Sequence, residues 1–332
     1  MNRTDWIDSC KGIVILLMVI GHVPHLPSLA IKLIYGFHMP FFFIMSGYLF
    51  NSEKWHALGF KQFALTRLKN YLIPFAIWST LNWLIASSWF ASSHSIGDSV
   101  EKSLFWLYGN LYADGRMAHM PYDTPLWFLP CLFVASILFY LITGLKKKSL
   151  VVSSVGLLFL GSLLLSYFKV PQLPWHINGM GYYCLLMWGG QLFEKYSVLD
   201  KMNPFITFAF IIVGICAIVI NGNVDLNLCV ISNPILFLIG SIPVSLACMF
   251  LCKTRISNKF FSMFGIGKNS MVVLAFNVLI IEIMGMILPY DSTNYYFFII
   301  VNTIVSISVS MLLIKGMELM RTKSKMRIFQ YI

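Results

Sequence analysis

The chain has 332 residues, 58% hydrophobic and 11% charged, with 24 Lys and Arg against 13 Asp and Glu and a net charge of +11. A soluble domain carries roughly twice that charged fraction, so the composition excludes a water-soluble globule. A basic chain invites a nucleic-acid partner, but these cations are spread over alternate polar segments; membrane topology accounts for them and no nucleic acid is implied.

Apolar runs of about 18 to 22 residues, each long enough for roughly 30 Å of hydrocarbon, recur along the chain. They predict ten spanning helices, at about 12–30, 33–50, 70–91, 125–145, 149–168, 177–193, 204–221, 232–252, 269–288 and 295–314. The first follows a short cationic segment as a signal peptide would, yet GHVPHL lacks a small-residue cleavage site, so it reads as an uncleaved span. With the N-terminus inside, 20 of the 24 cations fall in inner segments, leaving Lys32, Lys102, Arg116 and Lys169 outside. The expectation is an all-α polytopic bundle of about ten transmembrane helices, residues 1–332 as a single domain, with both termini cytoplasmic.

The longest outer segment, 92–124, reads as a loop. It mixes Trp106, Tyr108, Tyr112 and Tyr122 with Asp98, Glu101, Asp114, Arg116, His119 and Asp123, which suits either a sugar acceptor or an interfacial belt. The seven cysteines fall mostly inside spans without a CxxC pair and read as packing residues, with no metal site implied. GIGKNS at 265–270 lacks the glycine spacing, the hydroxyl residue and the preceding strand of a phosphate-binding loop.

Ionisable residues deep in spans are few, and each is a functional candidate: His22 and His25 in the first, His38 in the second, Glu282 in the ninth. Asp8, Lys11, His22 and His25 stay within roughly 100° of arc on one helix, a polar stripe. The rise from Lys11 to His22 is about 16 Å, which sets His22 near the midplane if Lys11 lies at the cytoplasmic edge. His38 reaches similar depth in the neighbouring span, and Pro40 frees a carbonyl that can kink the helix and open a cavity for both imidazoles. His25, flanked by Pro24 and Pro27, reads as structural.

The runs DWIDSCKGIVILLMVIGH, YGFHMPFFFIMSGYLF, RLKNYLIPF, TPLWFLPCLF and GKNSMVVLAFN, in order from residue 5 to about 277, closely resemble the acyltransferase-3 family of membrane O-acyltransferases, in its fucose 4-O-acetylase-like branch. The resemblance implies a ten-span bundle in the bacterial plasma (inner) membrane that moves an acetyl group from cytoplasmic acetyl-CoA to a sugar hydroxyl of a cell-surface or lipid-linked polysaccharide. The family's motif of a basic residue, ten others and a histidine falls on Lys11 and His22, which makes His22 the catalytic histidine, with Asp8 beside Lys11. FHMP falls on Phe37 to Pro40, and RxxR falls on Arg67 and Asn70, so the second Arg is missing and Lys69 stands as its substitute. Relatives often carry a histidine where this chain has Asn277, which receives no role.

The chemistry of the residues agrees. A neutral imidazole can take the proton of an attacking hydroxyl, or carry the acyl group itself, and the sequence leaves both routes open. His38 is the nearest second group to hold the ring or stabilise an oxyanion. Lys11, Arg67 and Lys69 are the expected contacts of the coenzyme A phosphates, and Glu282, Trp106 and Trp127 those of the acceptor. The competing function is a transporter or flippase for a glycan precursor, since intramembrane His and Glu also serve proton relays.

Overall fold

The computed structural model describes residues 3–254, 266–288, 290 and 294–323. Its helices are α1 (Arg3–Gly21), α2 (Ser28–Tyr35), α3 (His38–Tyr48), α4 (Ser52–Leu58), α5 (Phe60–Arg67), α6 (Ile73–Ala91), α7 (Ile96–Tyr112), α8 (Phe128–Thr143), α9 (Lys148–Tyr167), α10 (Met180–Lys195), α11 (Val198–Lys201), α12 (Pro204–Ile220), α13 (Pro234–Lys253), α14 (Ser270–Ile287) and α15 (Tyr295–Lys323). Between α12 and α13 lies an antiparallel hairpin of β1 (Val224–Asp225) and β2 (Val230–Ile231).

Among the described residues, six stretches are long and apolar enough to cross a membrane: Ser28–Tyr48, Thr124–Thr143, Lys148–Tyr167, Pro234–Lys253, Ser270–Ile287 and Tyr295–Leu319. The remaining four of the ten expected spans are helical but fall short on length or composition. α1 carries Asp5, Asp8 and Lys11, α6 is interrupted by Ser79, Thr80 and Asn82, and α10 and α12 have 16 and 17 residues.

Three expectations are corrected. The first helix stops at Gly21 and not near residue 30, because Pro24 removes a backbone donor and turns the preceding residue away from helical ψ. His25 therefore leaves the polar stripe; it has φ 63° and stacks on Tyr290 at 3.7 Å. The second span begins at Ser28 and breaks at Gly36–Phe37, three residues before Pro40. That break places Pro40 in the first turn of α3, where its missing N–H deprives no carbonyl.

The third correction concerns segment 92–124, where the expected loop contains the 17-residue helix α7. Ser95 caps it by accepting from the Asp98 N–H, and the helix folds back on α6 through Trp83 Nε1 to the Ser103 carbonyl at 2.9 Å. Its apolar residues form a stripe and not a run, so a rule based on span length passes over it.

The core gathers α1, α3, α8, α10, α13 and α14 around Val14, Phe41, Phe43, Phe139, Tyr183, Met249 and Ala275. Phe43 and Tyr183 stack at 4.3 Å with an interplanar angle of 6°. This contact needs α3 and α10 to touch backbone to backbone. A Cβ on Gly47 would sit 1.8 Å from the Met187 carbonyl oxygen, and one on Gly190 would sit 2.0 Å from that of Ile44. Small residues at such crossings are how helices approach closely without a hydrophobic drive between them. Gly47→Ala and Gly190→Ala should each lower the thermal unfolding midpoint in detergent, at an overpacking cost of about 1–3 kcal/mol. Gly156→Ala on α9, which meets open space, should leave it unchanged.

Candidate active site

His22 and His38 are each held at a helix boundary in the same way. His22 Nδ1 lies 2.7 Å from the Met18 carbonyl oxygen, and His38 Nδ1 lies 2.7 Å from that of Ile34. A carbonyl only accepts, so each Nδ1 carries the hydrogen and each Nε2 keeps its lone pair. Both bonds reach four residues back, to carbonyls close to where α1 and α2 end. Tyr35 stands between the two rings, 6.5 Å from His22 and 5.1 Å from His38, centroid to centroid.

The two histidines line one cavity of about 260 Å³ together with Tyr35, Arg116, Trp127 and Asp225. Trp127 packs against the buried His176 ring at 4.2 Å, and His176 Nε2 donates to the Ala113 carbonyl at 2.8 Å. Burial lowers the His176 pKa to about 4, so this supporting ring is neutral at ordinary pH. Asp114 pairs with both Arg116 and His119, the latter at 2.8 Å. Burial raises the Asp114 carboxyl, but hydrogen bonds from Arg116 and His119 outweigh it and hold its pKa below the usual value. Asp225 on the hairpin is raised by burial, which the backbone N–H groups of Leu228 and Asn227 partly offset. The hairpin is tied to the α7 side by Asn227 Nδ2, which donates to the Gly115 carbonyl at 2.7 Å.

A second cavity of about 490 Å³ is lined by Lys11, Lys54, Arg67, Asn70, Trp55 and Tyr71 among others, and among the described residues its lining holds no acidic side chain. Lys11 pairs with Asp8 at 3.7 Å. Arg67 lies against the rings of Trp55, Phe63 and Tyr71 and donates to the Tyr71 hydroxyl at 3.2 Å, while its Nε is buried without a partner. One π turn, Leu68–Leu72, presents this segment: the Ile73 N–H bonds the Leu68 carbonyl five residues back. Pro74 lacks a donor for the Asn70 carbonyl, and a widened turn absorbs that loss. Met18, Met39 and Leu274 line both cavities and form the partition between them.

The fold thus brings His22, His38 and Trp127 into one cavity and Lys11 and Arg67 into the other, with Asp8 paired to Lys11. Lys69 is exposed and lines neither; Lys54 occupies the cationic wall instead. Glu282 lines neither cavity and lies near Tyr122, which feels its charge. Trp106 is buried under the α7 loop, its Nε1 donating to the Ala118 carbonyl at 3.2 Å. Tyr35, Asp225, Lys54 and Trp55 were not singled out from the sequence. Lys54 carried a signal, a cation beside Trp in an inner segment; Asp225 carried none, because only the hairpin brings it to His22. Among the described residues, no group of three His, Cys, Asp or Glu is placed to hold a metal ion.

The cationic cavity and the paired imidazoles thus lie on either side of a wall made by Met18, Met39 and Leu274. The chain belongs to the acyltransferase-3 family, whose model, described as an acyltransferase domain, matches residues 4–315. It is also similar to the nodulation protein NolL of Mesorhizobium japonicum, 28% identical over 165 residues. That similarity covers 47% of this chain and 40% of NolL. No solved structure matches.

Asp123, beside the site, is fully buried and neither carboxyl oxygen has a hydrogen-bond partner among the described residues. Burial raises its pKa well above the usual 3.8. The sign follows: above pH 4 the unfolded chain releases a proton that the folded chain retains, so this residue costs stability as pH rises. Asp123→Asn should raise the melting temperature in detergent at pH 7.5, and the gain should fade toward pH 4; a gain independent of pH would contradict the assignment.

Proposed function

We propose that this chain is a membrane O-acetyltransferase that moves an acetyl group from cytoplasmic acetyl-CoA to a sugar hydroxyl of a surface or lipid-linked polysaccharide. The observation that carries the reading is the pairing of the two cavities across Met18, Met39 and Leu274. The cationic cavity draws its charges from Lys11, Lys54 and Arg67, all in segments whose charge pattern marks them as inner. The histidine cavity draws Arg116 and Asp225 from segments marked as outer. In this reading α1, α6, α10 and α12 complete a ten-span bundle in a bacterial plasma membrane with both termini cytoplasmic.

Lys11, Lys54 and Arg67 receive the phosphates of coenzyme A, and Trp55 and Tyr71 offer faces for its adenine. The thioester reaches across the partition to the histidines. His22 Nε2 takes the proton of the sugar hydroxyl as the oxygen bonds to the thioester carbonyl carbon. The carbon–sulfur bond then breaks, and the proton leaves His22 with the departing thiolate. His22 is given this role because its Nδ1 is committed to the Met18 carbonyl, which leaves Nε2 as the basic nitrogen of a ring that lines the same cavity as His38. His38, held in the same tautomer, receives a proton or a hydrogen bond at Nε2, and Tyr35 between the rings offers a hydroxyl to the oxyanion.

The test is transfer of labelled acetyl from acetyl-CoA into surface glycan by membranes carrying the protein. His22→Ala should reduce incorporation by about 10²- to 10⁴-fold. Incorporation unchanged by that substitution would remove His22 from the chemistry. Arg67→Ala should raise KM for acetyl-CoA about tenfold, worth about 1.4 kcal/mol, with kcat little changed. Mass analysis of the polysaccharide should find one acetyl per repeat only when the gene is present.

A further inference from the structure

Beside the histidine cavity lies a third cavity of about 360 Å³, which shares Leu226 and Leu228 with it. Both residues belong to the turn of the β1–β2 hairpin, so the hairpin tip is a common wall. That tip is held in place: Asp225 Oδ1 accepts the Asn227 and Leu228 N–H groups at 2.9 and 3.2 Å, and Asn227 is tied to Gly115. Across from it, α9 and α10 and the segment between them contribute Ser162, Ser166, Lys169, Gln172 and Tyr182. Among the described residues the lining contains no Asp or Glu and one cation, Lys169, which is exposed.

The Tyr182 hydroxyl is the telling group. Tyr182 is 3% exposed, lines this cavity, and its oxygen has no hydrogen-bond partner among the described residues. Its neighbour Tyr183 donates to the Leu226 carbonyl at 3.1 Å. Phe159 and Phe237 pack edge-to-face against the Tyr182 ring, with centroids at 5.2 and 6.0 Å. A buried hydroxyl left unpaired is costly, and a ligand that bonds it recovers the cost. A lipid tail would leave it unpaired; a polyhydroxylated one satisfies it.

We infer that this cavity is a second saccharide subsite, holding an uncharged sugar unit next to the one acetylated in the histidine cavity, with the Tyr182 hydroxyl bonding it. The inference rests on the histidine cavity being the acceptor's reaction chamber. The volume lies within the range of ordinary small-ligand pockets. The acceptor is then an oligosaccharide or polymer that runs over the hairpin tip, and a lone monosaccharide engages half of the site.

The experiment uses the full chain in membranes, with acetyl-CoA and length-fractionated oligosaccharides from partial hydrolysis of the host's surface polysaccharide as probes. Tyr182→Phe should raise KM for fractions of two or more units about tenfold more than for the monosaccharide, with KM for acetyl-CoA unmoved. Ser166→Trp, an exposed substitution on the cavity rim, should reproduce that length-dependent rise and serves if Tyr182→Phe does not fold. Equal effects on short and long acceptors in both variants, or none, would overturn the subsite. So would protection of the cavity by decanoate but not by oligosaccharide, measured as slowed thiol labelling of Cys229, which lines it. Absence of transfer by the unsubstituted protein to every fraction would instead defeat the acetyltransferase reading.

Discussion

The structure depends on two hydrogen bonds that join an imidazole to the carbonyl of the preceding helical turn. His22 and His38 each commit Nδ1 to such a carbonyl, at 2.7 Å in both cases. A carbonyl near a helix end within an apolar bundle needs a donor, and a histidine there needs a fixed tautomer. One contact answers both needs. It explains why helix breaks and histidines coincide here: the break supplies the carbonyl, and the ring satisfies it while keeping its other nitrogen basic. Pro24 sets the break after α1, and the break at Gly36–Phe37 puts Pro40 in the first turn of α3, where a missing N–H is tolerated.

Around this centre the chain sorts its polar residues between two cavities. The segment before α6 and the start of α1 build a cationic cavity, while the segment after α7 and the hairpin between α12 and α13 build a cavity with imidazole, guanidinium and carboxyl groups. Two methionines and a leucine separate them. Methionine suits that position because its unbranched, polarizable side chain adapts to what passes or packs beside it. The glycine contacts between α3 and α10 hold the His38 helix against a rigid neighbour, so the ring's placement does not rest on its own short helix alone.

Much of this was legible in the sequence, for reasons that differ by residue. Span positions followed from apolar run length, and α8, α9, α13 and α14 begin and end close to where composition alone sets them. His22 and His38 stood out as cavity-lining residues because an ionisable residue inside a greasy run is unusual by itself, whereas Lys11 and Arg67 stood out through the family motifs they match. Helix ends were less so: the stripe from Asp8 to His25 assumed a helix that Pro24 stops. α7 was missed because it is amphipathic, and Asp225 because its partners are far away in sequence. Lys69 and Lys54 show the limit of charge counting. Both are inner-segment cations, but the π turn directs Arg67 and Asn70 to the cavity and leaves Lys69 exposed.

The central claim is that donor and acceptor meet at His22 from opposite faces of the membrane. It is tested most directly in sealed vesicles of one orientation, with radiolabelled acetyl-CoA confined to the side of the cationic cavity and glycan acceptor confined to the other. The account predicts label in the glycan without leakage of either substrate. Label appearing only when both substrates share one side would contradict it.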